Sequence, residues 1–252
     1  MTIRLLAEQY PDRPAFDTAV SHALLRRAAE GEIAETLRIH EPGSIVAFGR
    51  QDVASPGYRP AVEASRAAGY EAIERLAGGR AAVFHSGTLA FSWTIPTSTP
   101  RETIKPRFES LASTLMAAFR ALGADARIGE VSGEYCPGSY SINVSGHHKV
   151  MGVGQRIIGR AAHVGGVVVV DGGDRIAEVL IPVYAALELH FNPATSGDLT
   201  GAAPGITRED VMAAIVTEFD RRNGLEADRI DEATLSLAEE LEPTHLSPAT
   251  WT

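Results

Sequence analysis

Cysteine is almost missing from this 252-residue chain: Cys136 is the only one, so no internal disulfide can staple the fold. Long apolar runs are missing as well. The chain opens Met1-Thr2-Ile3-Arg4 and moves into charged residues, so neither a signal peptide nor a membrane span is expected, and the protein is expected to be cytoplasmic. Positive charge is in deficit, with 23 Lys and Arg against 32 Asp and Glu and a formal net charge of −9. Binding to a phosphate backbone wants a basic face, which argues against nucleic acid as the main partner. An acidic protein would be repelled at long range, so its docking would have to rely on a local basic cluster. Repeats and low-complexity tracts are absent. Adjacent His147 and His148 point to opposite faces of a strand and His163 adds no ligand spacing, so no metal site is expected.

What is present concentrates around the lone thiol. Cys136 lies in Glu134-Tyr135-Cys136-Pro137-Gly138-Ser139-Tyr140, thirteen residues ahead of Lys149. A Pro-Gly turn presents a nucleophile better than it buries a structural cysteine, and a nearby cation would stabilise a thiolate. The plain alternative is a small buried hydrophobe. Earlier in the chain, Arg75-Leu76-Ala77-Gly78-Gly79-Arg80 leads to His85, and Gly78-Gly79 lets backbone approach a ligand closely. A simple hairpin would use the same pair. Gly152 and Gly154 follow Lys149 on a strand pattern, and small residues there leave room for a ligand chain or a neighbouring backbone. Arg75, Arg80 and Lys149 have an ordinary alternative as solvated surface cations.

Periodicity places these motifs on elements. Helical spacing covers 14 to 30, alternation marks strands at 36–40, 44–50 and 70–75, and Pro60 to Gly69 reads as a short helix. Residues 81–84 and 88–95 are expected to form a strand pair across Ser86-Gly87. Phe108, Leu111, Leu115, Phe119 and Leu122 mark one face of a helix ending at Gly123. Strands are expected at 140–144, 149–158 and 164–170, the last apolar on both faces and therefore central. Helices follow at 174–186, from a capping box of Thr207 with Asp210 to Arg222, and from Asp231 to before Pro243. The expected fold is α+β, a mostly antiparallel mixed sheet packed by helices. Residues 1–200 are expected to form the catalytic domain and 201–252 a short helical C-terminal appendage.

The segment from Arg75 to Pro96 resembles the Arg-x-x-Gly-Gly-x-Ala-x-x-His-x-x-Gly-x-Leu-x-x-Ser signature of the biotin/lipoate protein ligase superfamily. Lys149-x-x-Gly152-x-x-Gln155 resembles its second signature, His163 follows it, and Gly49-Arg50 is similar to the early Gly-Arg strand end. The likeness covers roughly residues 10 to 200. The Glu-Tyr-Cys-Pro-Gly-Ser-Tyr segment is similar to the octanoyltransferases and octanoyl-H-protein amidotransferases of lipoate assembly, where a cysteine upstream of the signature lysine accepts the acyl group. ATP-dependent lipoate ligases usually carry a third glycine where this chain has Arg80, and an Asn-Asp pair where it has the cysteine turn. The Gly-Arg-Gly-Arg loop of biotin ligases is absent.

The resemblance implies a cysteine acyltransferase that moves an octanoyl, or a lipoyl, group onto a lysine of the lipoyl domains of 2-oxoacid dehydrogenases. The donor would be glycine cleavage H protein or acyl carrier protein. Cys136 is expected as nucleophile, Lys149 as the charge that lowers its pKa, and Arg75, Gly78, Gly79, His85, Gly152, Gln155 and His163 as substrate-binding residues. No cofactor is required on this reading. ATP and Mg belong to the alternative, an ATP-dependent lipoate-protein ligase, and a non-catalytic lipoyl-binding protein is the second alternative. Gly152, Gly154, Gly165 and Gly166 are expected to wall an acyl tunnel.

Overall fold

The computed structural model describes residues 2–249. Along the chain run β1 (Ile3–Leu6), α1 (Pro14–Glu30), β2 (Thr36–His40), β3 (Ile45–Phe48), α2 (Arg50–Val53), α3 (Tyr58–Ala67), β4 (Glu71–Glu74) and β5 (Ala82–Phe84). Next come β6 (Thr88–Pro96), α4 (Ile104–Ala121), β7 (Ala126–Ile128), β8 (Ile142–Val144), β9 (His148–Ile158), β10 (Ala161–Val169) and α5 (Gly173–Ala186). The chain finishes with α6 (Leu199–Ala202), α7 (Arg208–Asn223), β11 (Leu225–Ala227) and α8 (Glu232–Leu241).

Two sheets organise these elements. The larger has the order β11-β1-β2-β6-β10-β9-β8-β7 and the smaller β4-β3-β5. Neighbours from β2 to β7 are antiparallel, β1 is parallel to both β2 and β11, and β3 is parallel to β4. This is the mixed, mostly antiparallel α+β sheet that the pattern implied. Helix ends obey local chemistry. α1 has Pro at its start and Gly31 at φ 79° after its end, and Thr207 and Asp210 form the reciprocal cap that opens α7.

β10 lies between β6 and β9, and its apolar run is covered on both faces. Val164 and Val168 join a core with Leu111, Leu115 and Phe119 of α4 and Ile215 and Phe219 of α7. Val169 joins a second core, in which Val46, Phe48 and Val83 of the small sheet meet α3 and α5. Each fully buried Leu or Phe in these cores stabilises the fold by about 1.5–3 kcal/mol. The C-terminal elements pack into the same body: β11 pairs with β1, α7 packs on α4 and α8 on α1.

One expected pairing does not form. β5 pairs with β3 in the small sheet and β6 pairs with β2 and β10 in the large one, so Ser86-Gly87 is a corner between sheets rather than a hairpin turn. The corner is closed locally: Thr88 Oγ1 donates to the His85 carbonyl at 2.9 Å, and the Gly87 N–H donates to His85 Nδ1 at 2.9 Å. A Cβ on Gly87 would lie 2.5 Å from the Asp171 carbonyl oxygen, so the corner needs glycine.

Candidate active site

The cysteine turn lies between β7 and β8, and Cys136 holds φ 42° there. A non-glycine residue in the left-handed region costs about 1 kcal/mol or more unless its surroundings hold it. Here side chains grip both of its backbone polar groups. The Cys136 N–H donates to Tyr184 Oη at 2.8 Å, and that hydroxyl donates to the Ala81 carbonyl at 3.0 Å. On the other side Lys149 Nζ donates to the carbonyls of Cys136 at 2.7 Å and Tyr135 at 2.9 Å. Its third bond goes to Glu134 Oε1 at 2.9 Å. All three ammonium donors are thereby used. Lys149 and Glu134 are both buried, and Glu134 is further held by Ser141 Oγ at 2.7 Å and the Val131 N–H at 2.8 Å.

The sulfur faces the glycine loop that follows β4. Cys136 Sγ accepts from the Arg80 N–H at 3.2 Å and from Arg75 Nη1 at 3.7 Å, and Nη1 also donates to the Arg80 carbonyl at 2.9 Å. Gly79, at φ 113°, lies so close that an added Cβ would be 2.8 Å from Sγ. Gly49 in turn packs on the Gly79 carbonyl, where a Cβ would come within 1.8 Å. Asp52 fastens this junction by accepting from the Gly49 N–H at 2.9 Å and pairing with Arg80 at 3.2 Å. Burial pushes the Cys136 thiol up, but the Arg75 charge, then Lys149 and the Arg80 N–H, outweigh it and hold the thiol below its ordinary range. Arg75 leads these opposing influences, and the Lys149 charge is matched by Glu134.

Two hollows lie near Arg75. One, about 90 Å³, has apolar walls from Ile45, Ala77, Phe84 and Phe91 and a floor of Gly165 and Gly166. One side of it is polar, with Ser21, His40, Ser92 and His163, and the Nδ1 atoms of both histidines are buried without a partner. The other, a cleft of about 480 Å³, holds Cys136 together with Gly78, Gly79, Phe108, Gly154 and Gln155. Arg75 lines the first and touches the sulfur in the second. Of the four glycines expected along the acyl tunnel, Gly165 and Gly166 line the apolar hollow and Gly154 the cleft. Gly152 instead faces Lys149, whose Cε lies 3.3 Å from where a Cβ would be.

Cys136, Arg75, Gly78 and Gly79 are thus brought together, with Lys149 beneath them and His163 in the adjoining hollow. Gln155 ties elements: it accepts from Arg107 Nε at 3.0 Å and donates to the Ile104 carbonyl at 2.8 Å. His85 is not brought to the thiol. It sits past the other end of β5, its ring against Gly87 and Gly172, and burial lowers its pKa to about 4. Two residues of the site had no role in the sequence reading. Glu134 belongs to the cysteine segment, and a buried acid was needed to balance Lys149. Tyr184 lies 48 positions from Cys136 on the buried stripe of α5, and no spacing connects them.

Residues 13–220 match the lipoyl protein ligase A/B catalytic domain, and the chain belongs to that family. Within it, the chain is similar to the octanoyl-[GcvH]:protein N-octanoyltransferase of Geobacillus kaustophilus, 31% identical over 57% of this chain and 52% of the relative. The matched region is thus about half of that relative's length. A relative of the same description from Anoxybacillus flavithermus is 28% identical over 94% of this chain and 86% of its own. Among solved structures, lipoate-protein ligase A bound with ATP superposes with a TM-score of 0.80 at 23% identity, covering 96% of this chain and 95% of that one. That likeness establishes the fold.

Proposed function

We propose that this protein transfers octanoyl groups between protein lysines in protein lipoylation, by way of a thioester on Cys136. The observation that carries the reading is a half-buried thiol in an open cleft, held below its ordinary pKa by Arg75, Lys149 and a backbone N–H, with that same Arg75 lining an apolar hollow. The relatives' descriptions supply the acyl group and support octanoylated H protein as donor. Lipoyl domains are the acceptors on this reading.

The Cys136 thiolate adds to the donor carbonyl, the carbon–nitrogen bond breaks, and the donor lysine leaves as an amine, taking a proton from solvent in the cleft. The acceptor lysine, as a free amine, then attacks the thioester. Its carbon–nitrogen bond forms, the carbon–sulfur bond breaks, the thiolate returns and one proton is lost to solvent. One amide is exchanged for another, so no nucleotide is needed. As sulfur loses its charge on addition, the Arg80 N–H and the Arg75 guanidinium are released to the carbonyl oxygen, where negative charge develops. Burial of the tail in the hollow contributes about 0.8 kcal/mol per methylene.

Intact-protein mass spectrometry tests the reading. Octanoylated H protein without nucleotide should add one octanoyl group to the wild type and none to Cys136→Ser, whose alcohol lacks a dedicated base. Acceptor modification that requires free octanoate and Mg-ATP would make the protein a ligase with an incidental cysteine.

A further inference from the structure

A third cavity, about 300 Å³, also adjoins Arg75, and its walls include Arg50, Arg156, Glu74, His22 and His245. Arg50 is exposed, and Arg156 is half-buried with its Nε buried and without a hydrogen-bond partner. Among the described residues neither arginine has a carboxylate within ion-pair distance. They stand near enough for the charge of Arg50 to bear on Arg156. The histidines add no charge at neutral pH: His22 Nδ1 and His245 Nε2 are 3.1 Å apart, and burial pushes His22 down to about 4 and lowers His245. Among the described residues of the wall Glu74 is the only carboxylate, and the Tyr58 hydroxyl donates to it at 3.3 Å. On a chain of net charge −9 this is a locally positive hollow.

Its position relates it to the thiol. Arg156 lines this cavity and also the cleft that contains Cys136, so an anion held there lies beside the route by which a lysine reaches the sulfur. We propose that Arg50 and Arg156 dock carboxylates that flank the reacting lysine on the protein substrates. The proposal rests on the acyl-transfer reading. Guanidiniums without a counter-ion, one of them partly desolvated, are recovered by carboxylates through charge-assisted, bidentate hydrogen bonds. Donor and acceptor lysines take turns at a single thiol, so one docking site meets both. The negative charge of the rest of the chain repels an acidic partner, which favours approach by this face over others.

The test follows acylation of Cys136 by octanoylated H protein over a range of donor and NaCl concentrations, in wild type, Arg50→Gln, Arg156→Gln and the double variant. Octanoyl-N-acetylcysteamine, an uncharged thioester, is the parallel donor. The double variant should need about tenfold more H protein for half-maximal rate, with a flatter salt dependence and an unchanged maximal rate. All four proteins should react with the uncharged thioester at the same rate. Equal half-saturation and equal salt dependence in wild type and double variant would overturn the docking site. Loss of reaction with the uncharged thioester in both single variants would overturn it in favour of a structural role. If the wild type is acylated by neither donor, the acyl-transfer reading itself falls and the docking site with it, a result told apart because no variant is needed to see it.

Discussion

At the scale of single residues, two cations near the thiol do different work, although either alone would have satisfied the expectation of an activating charge. Arg75 touches the sulfur at 3.7 Å, whereas Lys149 spends its three donors on Glu134 and on the carbonyls of Tyr135 and Cys136. Replacing each by methionine should separate the roles. Arg75→Met should move the pH at which iodoacetamide alkylates Cys136 upward, because the thiolate exists above its pKa and loses its leading stabiliser. Lys149→Met should move it less but destabilise the fold by about 3–5 kcal/mol, since it leaves the Glu134 carboxylate buried and unpaired. Adding Glu134→Gln should return part of that loss in urea unfolding. A larger alkylation shift in Lys149→Met than in Arg75→Met would reverse the assignment.

At the scale of elements, α5 reaches across to the cysteine turn through one hydroxyl. Tyr184→Phe removes the acceptor from the Cys136 N–H and the donor to Ala81, so the turn should loosen where φ is 42°. Single-turnover acylation should slow by about tenfold with little change in half-saturation, and the loss of buried hydrogen bonds should cost about 1–3 kcal/mol. Unchanged acylation in a less stable protein would leave Tyr184 with packing alone. The helices were legible because three- and four-residue spacing is reinforced by end signals such as Gly123, Thr207 and Asp231. β7 and β11 have three residues each, too few to show alternation, and they form because neighbouring strands offer partners. The β5–β6 pairing failed for a related reason: a Ser-Gly turn reports a change of direction, not which sheet accepts each strand. Cys136, Arg75 and the glycine loop were legible as chemistry on local motifs. Tyr184 and the Glu134–Lys149 pair were not, because long-range packing makes those contacts.

At the scale of the whole molecule, buried histidines couple stability to pH. Burial holds His22 and His85 down to about 4 and His163 to about 3, and lowers His40 and His245. In the unfolded chain they would titrate near 6.5. Their contribution is therefore complete above about pH 6.5 and is lost as pH falls toward 4, because the unfolded state takes up protons that the fold refuses. Asp17, Glu35 and Asp52, raised chiefly by burial, oppose this with fewer groups. The urea midpoint should drop from pH 7.5 to pH 5.5, and a midpoint flat across that range would show that these rings are hydrated. The single cysteine has a further consequence for stoichiometry. One thiol per chain means that, under the proposed Cys136 mechanism, a molecule can carry at most one thioester, so with an uncharged octanoyl thioester in excess and no acceptor the octanoyl taken up counts the competent active sites. Each preparation thus contains its own active-site titration, against which later turnover can be counted per molecule.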